Sequence, residues 1–175
     1  MAGSGSETAL VENFRASKGA KGLERYLKEC ALRDERGNDS RTYLVKDSLS
    51  GELACYFSLR ACLAPLSLPD GFFCTIPGVE LANFAVNDAY RAKQRTARKT
   101  GAYAFRNFIL PLARLSSSIV GAKWLCLYAL PDERLLRYYS ENLGFMRLPA
   151  ERENFVHSRF KPQYDKGCIF MYQSL

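Results

Sequence analysis

The sequence predicts an α/β fold, a mixed sheet that is mostly antiparallel in its first half and parallel at its centre, with helices on both faces. Three observations carry this reading. Residues 41–60 have the pattern of a β-hairpin, and from residue 79 onward strand-like segments alternate with helix-like ones. The chain has 175 residues, 47% of them apolar, which is enough for one sizeable core and too few for two ordinary domains. No internal repeat or linker divides it, so residues 1–175 are expected to form a single domain, with the small, polar residues 1–9 flexible.

The elements come in order along the chain. Leu23, Tyr26, Leu27, Cys30 and Ala31 recur at helical spacing, which predicts an amphipathic helix from Lys21 to Arg33, ended by Glu35-Arg-Gly-Asn-Asp. RTYLVKD from Arg41 and ELACYFSLR from Glu52 are rich in β-branched and aromatic residues, and the DSLSG between them is a turn sequence, hence the hairpin. Pro65 to Pro77 reads as a connector because of its prolines and Gly71. Val79 to Val86 is a strand, and a basic polar segment leads from it to Gly101. Ala102, Phe105, Phe108, Ile109 and Leu112 then keep helical spacing, with a kink expected at Pro111. Lys123 to Leu130 is apolar on both faces and so a central strand. Pro131, Asp132 and Glu133 open a further helix, which Gly144 ends. Phe145–Leu148 and Cys168–Gln173 are the last strands, joined by a long polar segment from Pro149 to Lys166.

Composition excludes several function classes. No apolar run reaches the roughly 18 to 20 residues needed to span a bilayer, and the amino-terminal residues lack a basic flank and an apolar signal core. A soluble, cytoplasmic protein without membrane partners is expected. The six cysteines (Cys30, Cys55, Cys62, Cys74, Cys126 and Cys168) are scattered singly, and His157 is the one histidine. The cysteines therefore read as reduced core residues, and no metal site is expected. The 25 basic and 18 acidic residues leave a net charge of +7. Between Tyr90 and Arg114 stand Arg91, Lys93, Arg95, Arg98, Lys99, Arg106 and Arg114 without an acid, a field that attracts a nucleic acid or a phosphate-rich cofactor. The alternative is a solvated face that only maintains solubility.

Two junctions carry the chemistry. In the first, a strand is followed by a loop and by a glycine that opens a helix, and free backbone N–H groups at such a start suit phosphate. The residues are Phe84-Ala85-Val86, then Arg98-Lys99-Thr100-Gly101-Ala102-Tyr103. In the second, Tyr139 lies on a helix before Leu143-Gly144-Phe145. Taken together and in this order, the two junctions resemble motifs A and B of the GNAT N-acetyltransferase superfamily. The resemblance implies a splayed sheet into which acetyl-CoA inserts its pantetheine arm as a pseudo-strand. Phe84, Ala85 and Val86 would bind that arm, while Arg98, Lys99, Thr100, Gly101, Ala102 and Tyr103 would hold the pyrophosphate. The loop before Gly101 is longer than the family's, which brings Arg91, Lys93 and Arg95 into reach of phosphates, and Tyr103 replaces the motif's last small residue.

The resemblance also implies transfer of acetyl from acetyl-CoA to a primary amine by direct attack in a ternary complex. Tyr139 would protonate the leaving thiolate, with Tyr138 the neighbouring candidate, and Glu80 would be the base, unless it is a structural glutamate. Asn83, on the other face of the strand, could orient substrate, and His157 reads as a surface residue of the last loop. The layout of the first half is similar to the toxin branch of the superfamily, which acetylates aminoacyl-tRNA, so tRNA stands beside a small-molecule or protein amine as acceptor. A homodimer is open, as is a non-catalytic module that binds nucleic acid or acyl-CoA.

Overall fold

The computed structural model describes residues 5–67, 72–93, 99–159 and 167–175. Six strands, β1 (Arg41–Lys46), β2 (Leu53–Ser67), β3 (Phe73–Val86), β4 (Trp124–Ala129), β5 (Met146–Arg147) and β6 (Ile169–Ser174), hydrogen-bond in the order β1-β2-β3-β4-β6-β5. β1 and β2 are antiparallel, with Arg41 opposite Leu59 and Lys46 opposite Leu53. Parallel pairing joins β3 to β4, where Gly78, Val79 and Glu80 face Trp124, Leu125 and Cys126. β6 runs antiparallel to both β4 and β5. This is the mixed sheet read from the sequence, antiparallel first and parallel at its centre.

The chain divides into two compact units, Met1–Arg60 with Asn83–Asn107, and Ala61–Ala82 with Phe108–Leu175. In the first, α1 (Gly5–Glu12) is helical where residues 1–9 are expected to be flexible, and Leu10 and Val11 on it pack against the core; residues 1–4 lie outside the described ones. α2 (Lys21–Arg25) and α3 (Ala31–Arg36) are one helix, interrupted by a π turn at Tyr26–Cys30. The apolar face read from the sequence is the buried one: Leu27 and Ala31 join Phe14, Ala16, Leu53, Tyr56 and Ala85 in one cluster. Tyr56 packs edge-on against Phe14, 5.3 Å between ring centres, and its hydroxyl donates to the carbonyl of Leu23 at 2.6 Å. A buried phenol is stable here because its polar end is satisfied.

In the second unit β4 is flanked on both sides, as its unbroken apolar run requires. Cys126 and Phe170 of β6 form a core with Ala64, Leu148 and Val156. The segment 100–120 is helical as α5 (Thr100–Ala104), a π turn (Phe105–Ile109) and α6 (Leu110–Val120). The kink expected at Pro111 takes the form of this π turn. A widened turn just before a proline, here in the first turn of α6, accommodates its missing N–H and its ring without ending the helix. Asp132 caps α7 (Glu133–Arg137) by accepting from the Leu135 N–H at 2.9 Å. A π turn (Tyr138–Asn142) continues α7, and Gly144, at φ +78°, comes after it.

Other sequence expectations also need correction. Pro65 to Pro77 is not a connector throughout, since β2 continues to Ser67 and β3 begins at Phe73. A strand tolerates proline where its nitrogen is not required by the ladder, and Pro77 still accepts a 2.8 Å bond from the Lys123 N–H. The polar segment after Pro149 opens with α8 (Ala150–Arg159), held by buried Val156 and by Glu153, which is ion-paired to Arg147 at 2.9 Å. Cys74 is exposed, and Cys30 and Cys62 are half-buried; Cys55, Cys126 and Cys168 are core residues as expected. Among the described residues no helix is long and apolar enough to cross a membrane.

Glu24 ties α2 to the preceding segment. Its carboxylate accepts from the Ala16 N–H at 3.0 Å and from the ammonium groups of Lys21 and Lys28, each at 2.9 Å. The Lys21 bond, then the Lys28 and Ala16 bonds, lower its pKa from 4.5 to about 2. The folded protein therefore holds this proton less tightly than the unfolded chain. The stabilisation is fully present above pH 4.5 and is lost as pH falls towards 2. Urea unfolding between pH 7 and 2 should show this loss, and Glu24→Gln should be less stable at pH 7 and flatten the acid limb.

Candidate active site

The first half of the candidate site is the carboxyl end of β3 together with the residues from Asn87 to Tyr103. Residues alternate along the strand, so Val79, Leu81, Asn83 and Ala85 are buried on one face, while Ala82, Phe84 and Val86 are half-buried on the other. Ala85 belongs to the core cluster, which pins the backbone of Phe84-Ala85-Val86 in register. Asn83 shares the face that Ala85 turns into this core, away from the face of Glu80, Phe84 and Val86.

Asn87 ends the strand, and the sequence reading missed it. It is buried, its N–H donates to the Ala54 carbonyl at 2.9 Å, and its side-chain amide donates to the Leu53 carbonyl at 2.8 Å. Its Oδ1 accepts from the N–H groups of Arg15 and Ala89, at 3.2 and 3.1 Å. The signal was present: Asn-Asp after an apolar strand is a helix-start pattern. The helix is α4 (Asp88–Lys93), inside the segment expected to be a basic loop. Tyr90 on α4 donates to Asp47 Oδ2 at 2.6 Å, and the same carboxylate accepts from the N–H groups of Leu49 and Ser50 in the hairpin turn. These bonds lower the Asp47 pKa and push that of Tyr90 up to about 12.

The basic run is less free than its sequence suggests. Arg91 pairs with Asp88, and Lys93 pairs with Glu52. Arg95 and Arg98 lie outside the described residues. Lys99 is exposed and precedes α5 without making a side-chain cap bond among the described residues. Thr100, Gly101 and Ala102 are half-buried in that first turn, while Tyr103 is 61% exposed. Gly101 is the second residue of α5.

Both catalytic candidates belong to the second unit. Tyr139 lies on the π turn after α7, edge-on to Phe145 at 5.8 Å and to Tyr138 at 6.1 Å. Its carbonyl accepts from the Phe145 N–H at 3.0 Å, so the turn through Gly144 folds back on the tyrosine. The ring is half-buried, and burial, with Tyr138 adding to it, pushes the phenol up to about 12. A phenol is protonated at neutral pH at its ordinary value of 10 as well, so the rise reports the ring's burial. Glu80 is 3% exposed and sits at the last pair of the parallel ladder, opposite Cys126. His157 is not a loop residue: it lies on α8, half-buried, with a buried Nε2 that has no hydrogen-bond partner among the described residues. No three His, Cys, Asp or Glu side chains among the described residues gather as a metal site.

No family model matches the sequence, and no curated protein matches it. Solved structures do match in fold. A tyrosine-to-phenylalanine variant of the AtaT toxin aligns with a TM-score of 0.65 and 19% identity over 94% of this chain and 82% of that one. AtaT complexed with acetyl-methionyl-tRNAfMet aligns with a TM-score of 0.65 and 16% identity over 94% and 86%. A tyrosine-to-phenylalanine variant of KacT gives 0.62 and 19% over 94% and 86%. At these identities the likeness is one of fold, and it extends over nearly the whole chain; the fold is the GNAT fold that the two junctions resemble.

The two high phenol pKa values can be observed directly. Titration of phenolate absorbance should find Tyr90 and Tyr139 ionising near pH 12, above the ordinary value of 10. Tyr139→Phe should remove one late step, and Asp47→Asn should move Tyr90 back down. Because the folded state holds the Tyr139 proton more tightly, its contribution to stability is constant below pH 10 and is lost between 10 and about 12.

Proposed function

We propose that this chain is an acetyl-CoA-dependent N-acetyltransferase that acts on a primary amine, with the amino group of an aminoacyl-tRNA as the favoured acceptor. The observation that carries the reading is the fold match over 94% of the chain to AtaT complexed with acetyl-methionyl-tRNAfMet. A further match, with a TM-score of 0.61 and 19% identity over 94% of this chain and 84% of the other, is an AtaT variant bound to the C-terminus of the antitoxin AtaR and to acetyl-CoA. The net charge of +7 suits an RNA acceptor. A small-molecule or protein amine is the second reading, favoured by the pairing of Arg91 and Lys93 with nearby acids. In either case the reaction belongs to the cytoplasm, where acetyl-CoA and charged tRNA are found.

In this reading the backbone of Phe84, Ala85 and Val86 aligns the pantetheine arm, and the first turn at Lys99 to Tyr103, with Arg98 before it, holds the pyrophosphate. The acceptor nitrogen attacks the thioester carbonyl as Glu80, directly or through water, takes its proton. Collapse of the tetrahedral intermediate breaks the C–S bond, and the Tyr139 hydroxyl protonates the departing thiolate. Burial of Glu80 excludes bulk solvent, which limits hydrolysis of the thioester in competition with the amine.

The test is CoA release from acetyl-CoA with methionyl-tRNA and with a panel of amines. Acetyl transfer is expected with at least one acceptor; acetyl-CoA binding without transfer to any would leave only a binding module. Tyr139→Phe keeps the ring and its packing, so acetyl-CoA affinity should hold while single-turnover transfer falls by about 10²- to 10⁴-fold. An equal loss in Tyr138→Phe alone would move the acid by one residue. Gly101→Glu adds charge and bulk where phosphates would sit, and should reduce the rise in melting temperature that acetyl-CoA gives the unaltered protein.

A further inference from the structure

Cys62 and Cys126 lie on β2 and β4, two strands that have β3 between them. Strands separated in this way are about 9.6 Å apart in a flat sheet, beyond the span of side chains that normally meet as a cysteine pair. The two sulfurs nevertheless stand 3.0 Å apart. The residue that allows this is Gly78 of β3. A Cβ built there would be 3.1 Å from Cys62 Sγ and 3.0 Å from the Trp124 carbonyl oxygen, so the place a side chain would occupy is taken by the Cys62 thiol reaching across the strand. Both cysteines are reduced, Cys126 in the core and Cys62 half-buried. Cys126 is also the β4 partner of Glu80 in the last pair of the parallel ladder.

From this arrangement we infer that Cys62 and Cys126 are a redox pair, which a hydroperoxide converts to a disulfide bridging β2 and β4 over Gly78. Cys62, the more exposed of the two, is the sulfur that meets the oxidant. Its thiolate attacks the peroxide, the O–O bond breaks, and Cys62 becomes a sulfenic acid as one water leaves, the thiol proton included. The Cys126 sulfur then attacks the Cys62 sulfur, the S–O bond breaks, and a second water leaves. Two thiols and one hydrogen peroxide thus give one disulfide and two waters, with two electrons passing from sulfur to oxygen. The sulfurs must approach by about 1 Å to reach a bond of about 2.05 Å, and closing them pulls two non-adjacent strands together. Exposed Cys74 has no such arrangement and serves as the internal reference. The inference is independent of the acetyl-transfer reading.

The experiment treats the reduced, full-length protein with hydrogen peroxide, blocks remaining thiols, and maps non-reduced peptides by mass spectrometry. The expected product is a Cys62–Cys126 linked pair, lighter by two hydrogens and restored by dithiothreitol. In Cys126→Ser the link cannot form, and dimedone should trap Cys62 as the sulfenic acid; should that variant fail to fold, Cys126→Ala serves the same purpose. Three results would overturn the inference: free Cys62 and Cys126 after treatment that has oxidised Cys74, Cys62 oxidised to sulfinic acid with Cys126 still reduced in the unaltered protein, or a disulfide to any other cysteine.

Discussion

The buried amide of Asn87 fixes the place where β3 stops. Every polar atom of its side chain is used, on the Leu53 carbonyl and on the N–H groups of Arg15 and Ala89, and its own N–H is used on Ala54. A one-residue slip of β3 would leave these groups buried without partners, at about 1–3 kcal/mol each, and would turn Ala85 out of the core it fills. The strand end is therefore over-determined. The three residues before it, Phe84, Ala85 and Val86, inherit a fixed backbone, which is what recognition through main-chain hydrogen bonds requires. The Asp88 N–H bond to the Arg15 carbonyl, at 2.7 Å, extends the same joint into α4.

This joint changes the meaning of the long segment before Gly101. Read as sequence, it is an insertion into a short phosphate loop, and an insertion suggests slack. In the structure its first half is α4, tied by Tyr90 to Asp47 and by Lys93 to Glu52. The added length is thus partly spent as a helix braced on the hairpin turn, and two of the cations counted as a field are neutralised by neighbours. For the proposed cofactor site, what remains is a shorter stretch between Lys93 and Lys99.

The fold was legible where local pattern and tertiary context agree. Helical spacing from Leu23 to Ala31, the apolar run of β4, the turn sequence between β1 and β2, and Gly144 each carry their own signal, and each stands where its pattern places it. α8 was not legible, and α4 only through the Asn-Asp at its start, because both are polar and are held by partners. The clearest are Glu52, 41 residues before Lys93 in sequence, and Arg147, on the strand before α8. Periodicity does not report such bonds. The prolines misled for the opposite reason, since a local rule against strands gives way wherever the ladder does not need the nitrogen. At the site, the glycine at a helix start and the tyrosine before Gly-Phe were legible as motifs. The partners of Asn87 and the Cys62–Gly78–Cys126 contact were not, because each depends on groups from segments far apart in sequence meeting at one point.

Tyr139 shows why a packing role and a chemical role need not compete. The simplest account of an aromatic residue on a helix is packing, and its edge-on contacts with Phe145 and Tyr138 fit that account. The same contacts remove water from around the phenol, and this removal, not a charged partner, leads the rise of its pKa to about 12. A proton donor for a thiolate has two requirements, a proton retained at neutral pH and a hydroxyl held in place. The first is met even at the ordinary phenol value of 10; packing supplies the second, because it leaves the ring few other positions. The backbone bond from Phe145 to the Tyr139 carbonyl then couples the ring's position to the Gly144 turn. The Leu-Gly-Phe sequence after the tyrosine is in this way part of what would make it an acid: glycine permits the reversal, and phenylalanine returns to cover the ring.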